Sequence, residues 1–161
     1  MKKKSRILVA LLSLMMFTFC LCGIASATVS AETSLPPIKS ISTESESIVV
    51  NTINTQNSLF KQWTCGITDN HNGTVTISGS TTATITVEYL DVKVYLQRLN
   101  GSTWVDVTSR TYSDTSSSRV SNYSSVAVTT GYYYRTRSVH TIRNSGQSQS
   151  ETSVSQAILV N

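Results

Sequence analysis

From Gln62 to the end of the chain, apolar and polar residues alternate with a period of two. An extended chain points successive side chains to opposite sides, so this spacing predicts strands with one buried face. Val75 and Ile77 interleave with Thr74, Thr76 and Ser78. Leu90, Val92, Val94 and Leu96 form an inward face, with Asp91, Lys93, Tyr95 and Gln97 outward. No window carries helical spacing on helix-forming residues. Strands are expected at roughly 63–67, 74–78, 90–97, 104–110, 119–128, 132–142 and 152–160. Turns fall between them, at 69–73, at Gly131 and at Asn144-Ser145-Gly146. Asn100-Gly101 is the strongest hairpin signal and predicts a type I′ turn with positive φ at both residues. Gly79, inside an alternating run, marks a bulge or a close backbone approach. About one hundred residues of this character predict an all-β fold, a single antiparallel β-sandwich of immunoglobulin-like size spanning 61–161.

The stretch GYYYRTRSVH, residues 131–140, divides by alternation into two faces. Tyr132, Tyr134, Thr136, Ser138 and His140 share the inward one. Tyr133, Arg135, Arg137 and Val139 share the outward one, because two arginines do not enter a core unpaired. Tyr134 is expected in the core with its hydroxyl bonded. Gly131 followed by Tyr134 resembles strand F of immunoglobulin-like and fibronectin type III domains, where such a tyrosine forms a corner. Thr136 stands where an antibody domain has its second cysteine, so the resemblance implies the architecture without the disulfide. The ordered set CGI, GTVTISGSTTA, VKVYLQRLNGSTWVDV, GYYYR and SVH is similar to an uncharacterised family of small secreted proteins of Gram-positive bacteria, a domain of unknown function. That likeness runs from Cys65 to the end. It implies an exported β-sandwich and supplies no catalytic residues.

The first 60 residues differ in character. Lys2, Lys3, Lys4 and Arg6 precede an apolar run from Ile7 to Ile24, and Ala25-Ser26-Ala27 offers a cleavage site. Residues 1–27 are expected to be a cleaved signal peptide, with a retained anchor as the alternative. Residues 28–60 are rich in Ser, Thr, Asn and Glu, contain Pro36-Pro37, and read as a flexible linker or pro-segment. Within them Ile48-Val49-Val50 is a candidate isolated strand or docking segment.

Cleavage changes the charge. The chain has 13 basic and 9 acidic residues, and four of the basic ones lie in the signal. The remainder is balanced, which gives no support for nucleic-acid binding. Cys20 and Cys22 also leave with the signal. Cys65 is then single, either a small buried residue or a reactive thiol or intermolecular bridge.

The chain has no phosphate-binding glycine loop, no Gly-x-Ser-x-Gly elbow and no His-Glu-x-x-His. A nucleophilic serine would need His71 or His140 as its base. His71 sits in a turn and His140 reads as a strand residue. Asp69, Glu88, Asp91, Asp106, Asp114 and Glu151 are too scattered to suggest a glycosidase pair. Asp69-Asn70-His71-Asn72 could hold calcium but brings one carboxylate, so a plain turn is favoured. No catalytic residue, metal ligand or cofactor is assigned.

Two features suggest binding. Trp63, Trp104, Tyr95, Tyr112, Tyr123 and Tyr133 could stack on sugars, and Arg135 with Arg137 could hold an anionic polymer such as a wall teichoic acid. Structural readings compete: Trp104 pairing across its hairpin, and the arginines facing Asp or Glu. The candidate binding residues are Tyr133, Arg135, Arg137 and Trp104. Tyr134, Gly131, Asn100 and Gly101 are assigned structural roles. The expectation is a secreted, non-enzymatic protein, outside the cell or at its wall, binding wall polymer, glycan or an extracellular protein. It predicts no nucleic-acid partner and no membrane association after signal cleavage. A secreted hydrolase and a self-assembling surface protein are the alternatives.

Overall fold

The computed structural model describes residues 45–52 and 58–161. The signal peptide expected at 1–27, and the parts of the expected linker at 28–44 and 53–57, lie outside them. The described residues form seven antiparallel strands: β1 (Glu46–Thr52), β2 (Phe60–Asp69), β3 (Thr74–Asn100), β4 (Thr103–Ala127), β5 (Tyr132–Asn144), β6 (Gln147–Val154) and β7 (Ile158–Val160). Among them no helix is long and apolar enough to cross a membrane.

Two long strands make the sandwich. The first half of β3 pairs with β2 and with the end of β4, and its second half pairs with the start of β4 and with β5. The register slips between Thr82 and Val87, and just beyond that slip, between Ser117 and Thr115, Ser116 of β4 takes φ 51°. There the sheet folds over on itself. One layer is β1, β2, the first half of β3 and the end of β4. The other is the start of β4, the second half of β3, β5 and β6, with β7 paired to the start of β5. The architecture is the all-β antiparallel sandwich that the alternation predicts.

The inward positions of the two layers meet in one core. Ile67, Val75 and Ile77 pack with Leu90, Val92, Val94 and their neighbours, all fully buried. Gly79 lies in regular register between Cys65 and Asn122, so it is a close approach and not a bulge. A Cβ there would come within 2.6 Å of Val94 Cγ2 and 2.8 Å of Val92 Cγ2.

Four expectations need correction. The single strand expected at 152–160 is two, the end of β6 and β7, which pair with different parts of β5. The runs 74–78 and 90–97 belong to one strand, and so do 104–110 and 119–128. Residues 111–118 are Ser- and Thr-rich on an edge strand exposed on most of its sides, so they pair with β3 without showing alternation. The flexible linker does not extend through 46–52. That segment is β1, which docks on β2 with Ser47 buried and bonded to the Gln156 backbone N–H at 2.9 Å. It includes Ile48-Val49-Val50, the candidate strand or docking segment, although Ile48 and Val50 point outward. The hairpin turn is displaced by one residue. Asn100 pairs with Thr103, leaving Gly101 and Ser102 at the corners, and of these only Gly101 has positive φ, at 60°. That is the type II′ pattern. Two positive φ angles occur instead at Ser145 and Gly146, between β5 and β6.

Candidate functional site

β5 carries its two faces as the alternation requires. Tyr134, Thr136, Ser138 and His140 are buried, and Tyr133, Arg135, Arg137 and Val139 line the outer side half-exposed. Tyr132, expected inward, is instead 43% exposed at the strand's start, with the Arg98 guanidinium 4.7 Å from its ring centre. The Tyr134 hydroxyl donates to the Thr129 carbonyl at 2.9 Å, five residues upstream, closing a tyrosine corner. The Gly131 N–H donates to Val160 O at 2.7 Å, which ties β7 to the same corner.

On the outer face β4, β3 and β5 lie side by side. Pairing sets Tyr89 opposite Arg143, Tyr95 opposite Arg137 and Gln97 opposite both Asp106 and Arg135. Each arginine lies over an aromatic ring: Arg143 at 5.1 Å from Tyr89, Arg137 at 4.4 Å from Tyr95, and Arg135 at 4.2 Å from Trp104. Lys93 approaches Tyr95 at 5.0 Å as well. Trp104 reaches its partner diagonally, from β4 across β3 to β5. Beneath it the buried Gln97 side chain donates from Nε2 to Asp106 Oδ1 at 2.7 Å and accepts from Arg135 Nε at 2.9 Å. Arg135 is therefore held by an amide at Nε and by an indole under its Cζ. Among the described residues its terminal nitrogens have neither an ion pair nor a hydrogen bond.

Tyr133, Arg135, Arg137 and Trp104 thus share one face, though Tyr133 lies at its end, opposite Leu159 of β7. The expectation of an Asp or Glu across from the arginines is not met. Among the described residues neither Arg135 nor Arg137 forms an ion pair. Burial, with Arg137 as a like-charged neighbour, pushes the Arg135 guanidinium below its ordinary value. Outward charges on this face are Lys93, Arg135, Arg137 and Arg143 against Asp91 and Asp106, a net positive surface. Asp91 accepts from the Tyr89 hydroxyl at 2.9 Å; burial and that carboxylate push the phenol up. An indole already covered by a guanidinium offers less stacking surface to a sugar. A planar cation with free N–H groups suits an oxyanion.

The other candidates lie elsewhere. Trp63 is in the core, edge-to-face with Phe60 at 5.4 Å. Tyr112 is half-buried with its hydroxyl donating to Ser124 Oγ, and Tyr123 projects from the other layer, 72% exposed. Cys65 is buried, and burial pushes its thiol up, the state of an inert thiol. In the 69–73 turn the oxygens serve the turn itself. Asp69 accepts from the backbone N–H of His71 at 2.8 Å and of Asn161 at 3.3 Å, and Asn72 Oδ1 accepts from both the N–H and the hydroxyl of Thr74. Among the described residues no group of three His, Cys, Asp or Glu side chains could hold a metal.

His140 is fully buried between the layers. Its Nδ1 lies 2.9 Å from Thr81 Oγ1 and its Nε2 lies 2.8 Å from Ser153 Oγ. Thr81 gives its one hydroxyl proton to Asp91 O at 2.8 Å, so it must accept from Nδ1–H. Nε2 then accepts from Ser153. A serine donating to a histidine is the geometry of a nucleophile and its base. Here the ring's other nitrogen meets a threonine instead of a carboxylate, and the pair has no exposed surface for a substrate. Burial lowers the His140 pKa from 6.5 to about 4.

Sequence reasoning missed Gln97, Tyr89, Lys93 and Arg143. A signal for two of them was present: the six-residue spacing of Tyr89 and Tyr95 is matched, in reverse order, by Arg137 and Arg143. No protein-family model matches the chain, and no curated protein matches it.

Proposed function

We propose that the protein is an exported, non-enzymatic binding module whose outer β4-β3-β5 face holds an anionic polymer of the cell wall, teichoic acid being the chemistry that fits best. The observation that carries this reading is the pair of guanidinium groups of Arg135 and Arg137, each placed over an aromatic ring and, among the described residues, lacking a carboxylate partner. Neighbouring outward positions of one strand are about 7 Å apart, so the two cations present a short row suited to successive phosphates. Lys93 and Arg143 lengthen that row. The basic leader and Ala25-Ser26-Ala27 support export, and the ordered motifs from Cys65 onward support kinship with small exported β-sandwich proteins of Gram-positive bacteria. A hydrolase would require an open site, and His140, paired with a serine, has zero exposure.

The test is co-sedimentation of the protein, expressed from the full chain, with insoluble Gram-positive cell wall before and after teichoic acid removal. A Tyr133→Ala/Arg135→Ala/Arg137→Ala variant runs alongside. Wild type should pellet with intact wall, and both the variant and the stripped wall should abolish it. Wild type left in the supernatant throughout refutes wall binding. Pelleting that survives stripping refutes the polymer assignment.

A further inference from the structure

We propose that the protein pairs with a second copy of itself along the free edge of β4, over residues 108–115, to form a two-fold dimer. Among the described residues β4 pairs only with β3, so its other edge has no strand partner; within 108–115 the Ser109 carbonyl and the Thr115 N–H are bonded by the side chains of Arg110 and Asp114, which must let go of them for a strand to pair there. Such an edge is a template for another strand. The usable length is bounded: the register slips at Asp106–Thr108, where Val107 is extra, and the backbone turns at Ser116 with φ 51°. Between these points β4 runs in regular register with Tyr89–Leu96 of β3.

The side chains of this segment complement themselves. Arg110 and Asp114 lie on the same side of β4, two residues either side of Tyr112, and both are exposed. Neither has an ion-pair partner among the described residues. Arg110 bonds only to Thr108 Oγ1 and Ser109 O, and Asp114 to the Thr115 N–H. An antiparallel pair of β4 strands centred on Tyr112 sets Arg110 opposite Asp114 of the second copy, twice by symmetry. On the other side it sets Thr111 opposite Ser113 and Ser109 opposite Thr115. Opposite charges and facing hydroxyls are the cross-strand pairs that stabilise sheets. A register centred on residue 110 or 114 sets like charges against each other. Charged residues on an edge usually deter pairing. Here they deter the wrong registers and admit one. The two-fold axis stands perpendicular to the sheet, so both arginine faces fall on the same side of one continuous sheet.

The experiment is sedimentation velocity and equilibrium of the protein, expressed from the full chain, over a concentration series. Arg110→Asp and Asp114→Arg are run separately and as an equimolar mixture. The wild-type mass should rise toward twice the monomer's with concentration. Each variant alone should remain monomeric, because like charges then face each other. The mixture should recover the dimer, since each variant supplies the charge the other lacks; this result also excludes misfolding as the cause of the loss. A monomeric wild type overturns the proposal. So does a wild-type dimer that both variants retain, or a mixture that stays monomeric. An edge that pairs instead with a strand of an unrelated protein would leave the purified wild type monomeric, the first of these outcomes.

Discussion

His140 makes the fold sensitive to acid, by an amount that can be worked out. In the native sandwich its neutral ring donates to Thr81 and accepts from Ser153, both hydroxyls, and has no exposed surface. Its pKa falls from the ordinary 6.5 to about 4 because burial penalises the charged ring. Between those values the unfolded chain binds a proton that the native chain does not. Stability must therefore fall as pH falls through this window. The full loss, reached below about pH 4, is about 3 kcal/mol. By about pH 5 about 2 kcal/mol of it has gone. That is a large fraction of the stability of an ordinary domain.

Urea unfolding followed by fluorescence of the buried Trp63 measures this directly, at steps from about pH 7 to about pH 4. A His140→Gln variant can still bond to hydroxyls but cannot titrate. It should be less stable than wild type at neutral pH, by about 1–3 kcal/mol for imperfect hydrogen bonds in a buried site. The two stabilities should converge as pH falls, and the variant's curve should lack the wild type's slope between about pH 6.5 and about pH 4. Equal slopes in the two proteins would refute the assignment of that loss to His140. A flat wild-type curve would refute the burial argument itself.

Two further predictions concern the packing. Gly79→Ala should cost about 1–3 kcal/mol by overpacking against Val92 and Val94. Adding Val94→Ala should cost less in that background than in wild type, and a double-mutant cycle in urea would show additivity if the close contact is not the cause. Tyr134→Phe leaves the Thr129 carbonyl without its donor and should lower stability by about 1 kcal/mol. No change there would mean that the corner hydrogen bond contributes nothing net.

The fold was legible wherever one face of a strand is buried and the other wet. Val75 and Ile77, or Leu90 to Leu96, announce both the strand and the side that faces the core. Legibility failed where that contrast is absent. In β1 the segment Ile48-Val49-Val50 was legible as a candidate strand but its extent and its buried side were not, because Ile48 and Val50 turn to solvent and Ser47 is buried. Residues 111–118 of β4 lie along an exposed edge and carry mostly Ser and Thr. The outward position of Arg135 and Arg137 followed from alternation alone. Their partners did not, because Tyr95, Gln97 and Trp104 come from other strands and meet them through register. The His140 contacts were hidden for the same reason, since Thr81 and Ser153 are far from it in sequence.

One strand joins these two halves of the molecule. Outward residues of β5 carry the guanidinium pair, and its inward residues carry Tyr134 and His140. The spacing of Arg135 and Arg137, and their placement over Trp104 and Tyr95, exist only while the β3-β5 register holds. That register is held from the inside. Guanidinium groups stay cationic throughout the acid range, and phosphodiesters stay anionic there, so acid leaves their attraction in place. Any loss of the proposed polymer binding on acidification should then coincide with unfolding and not precede it. Retention on a poly(glycerol phosphate) matrix, measured beside tryptophan fluorescence across the same pH series, separates the cases. Coincident midpoints in wild type, shifted together by His140→Gln, would place the control of the outer face in the core. Binding lost from a protein that is still folded would mean that a titrating group on the face itself governs the interaction.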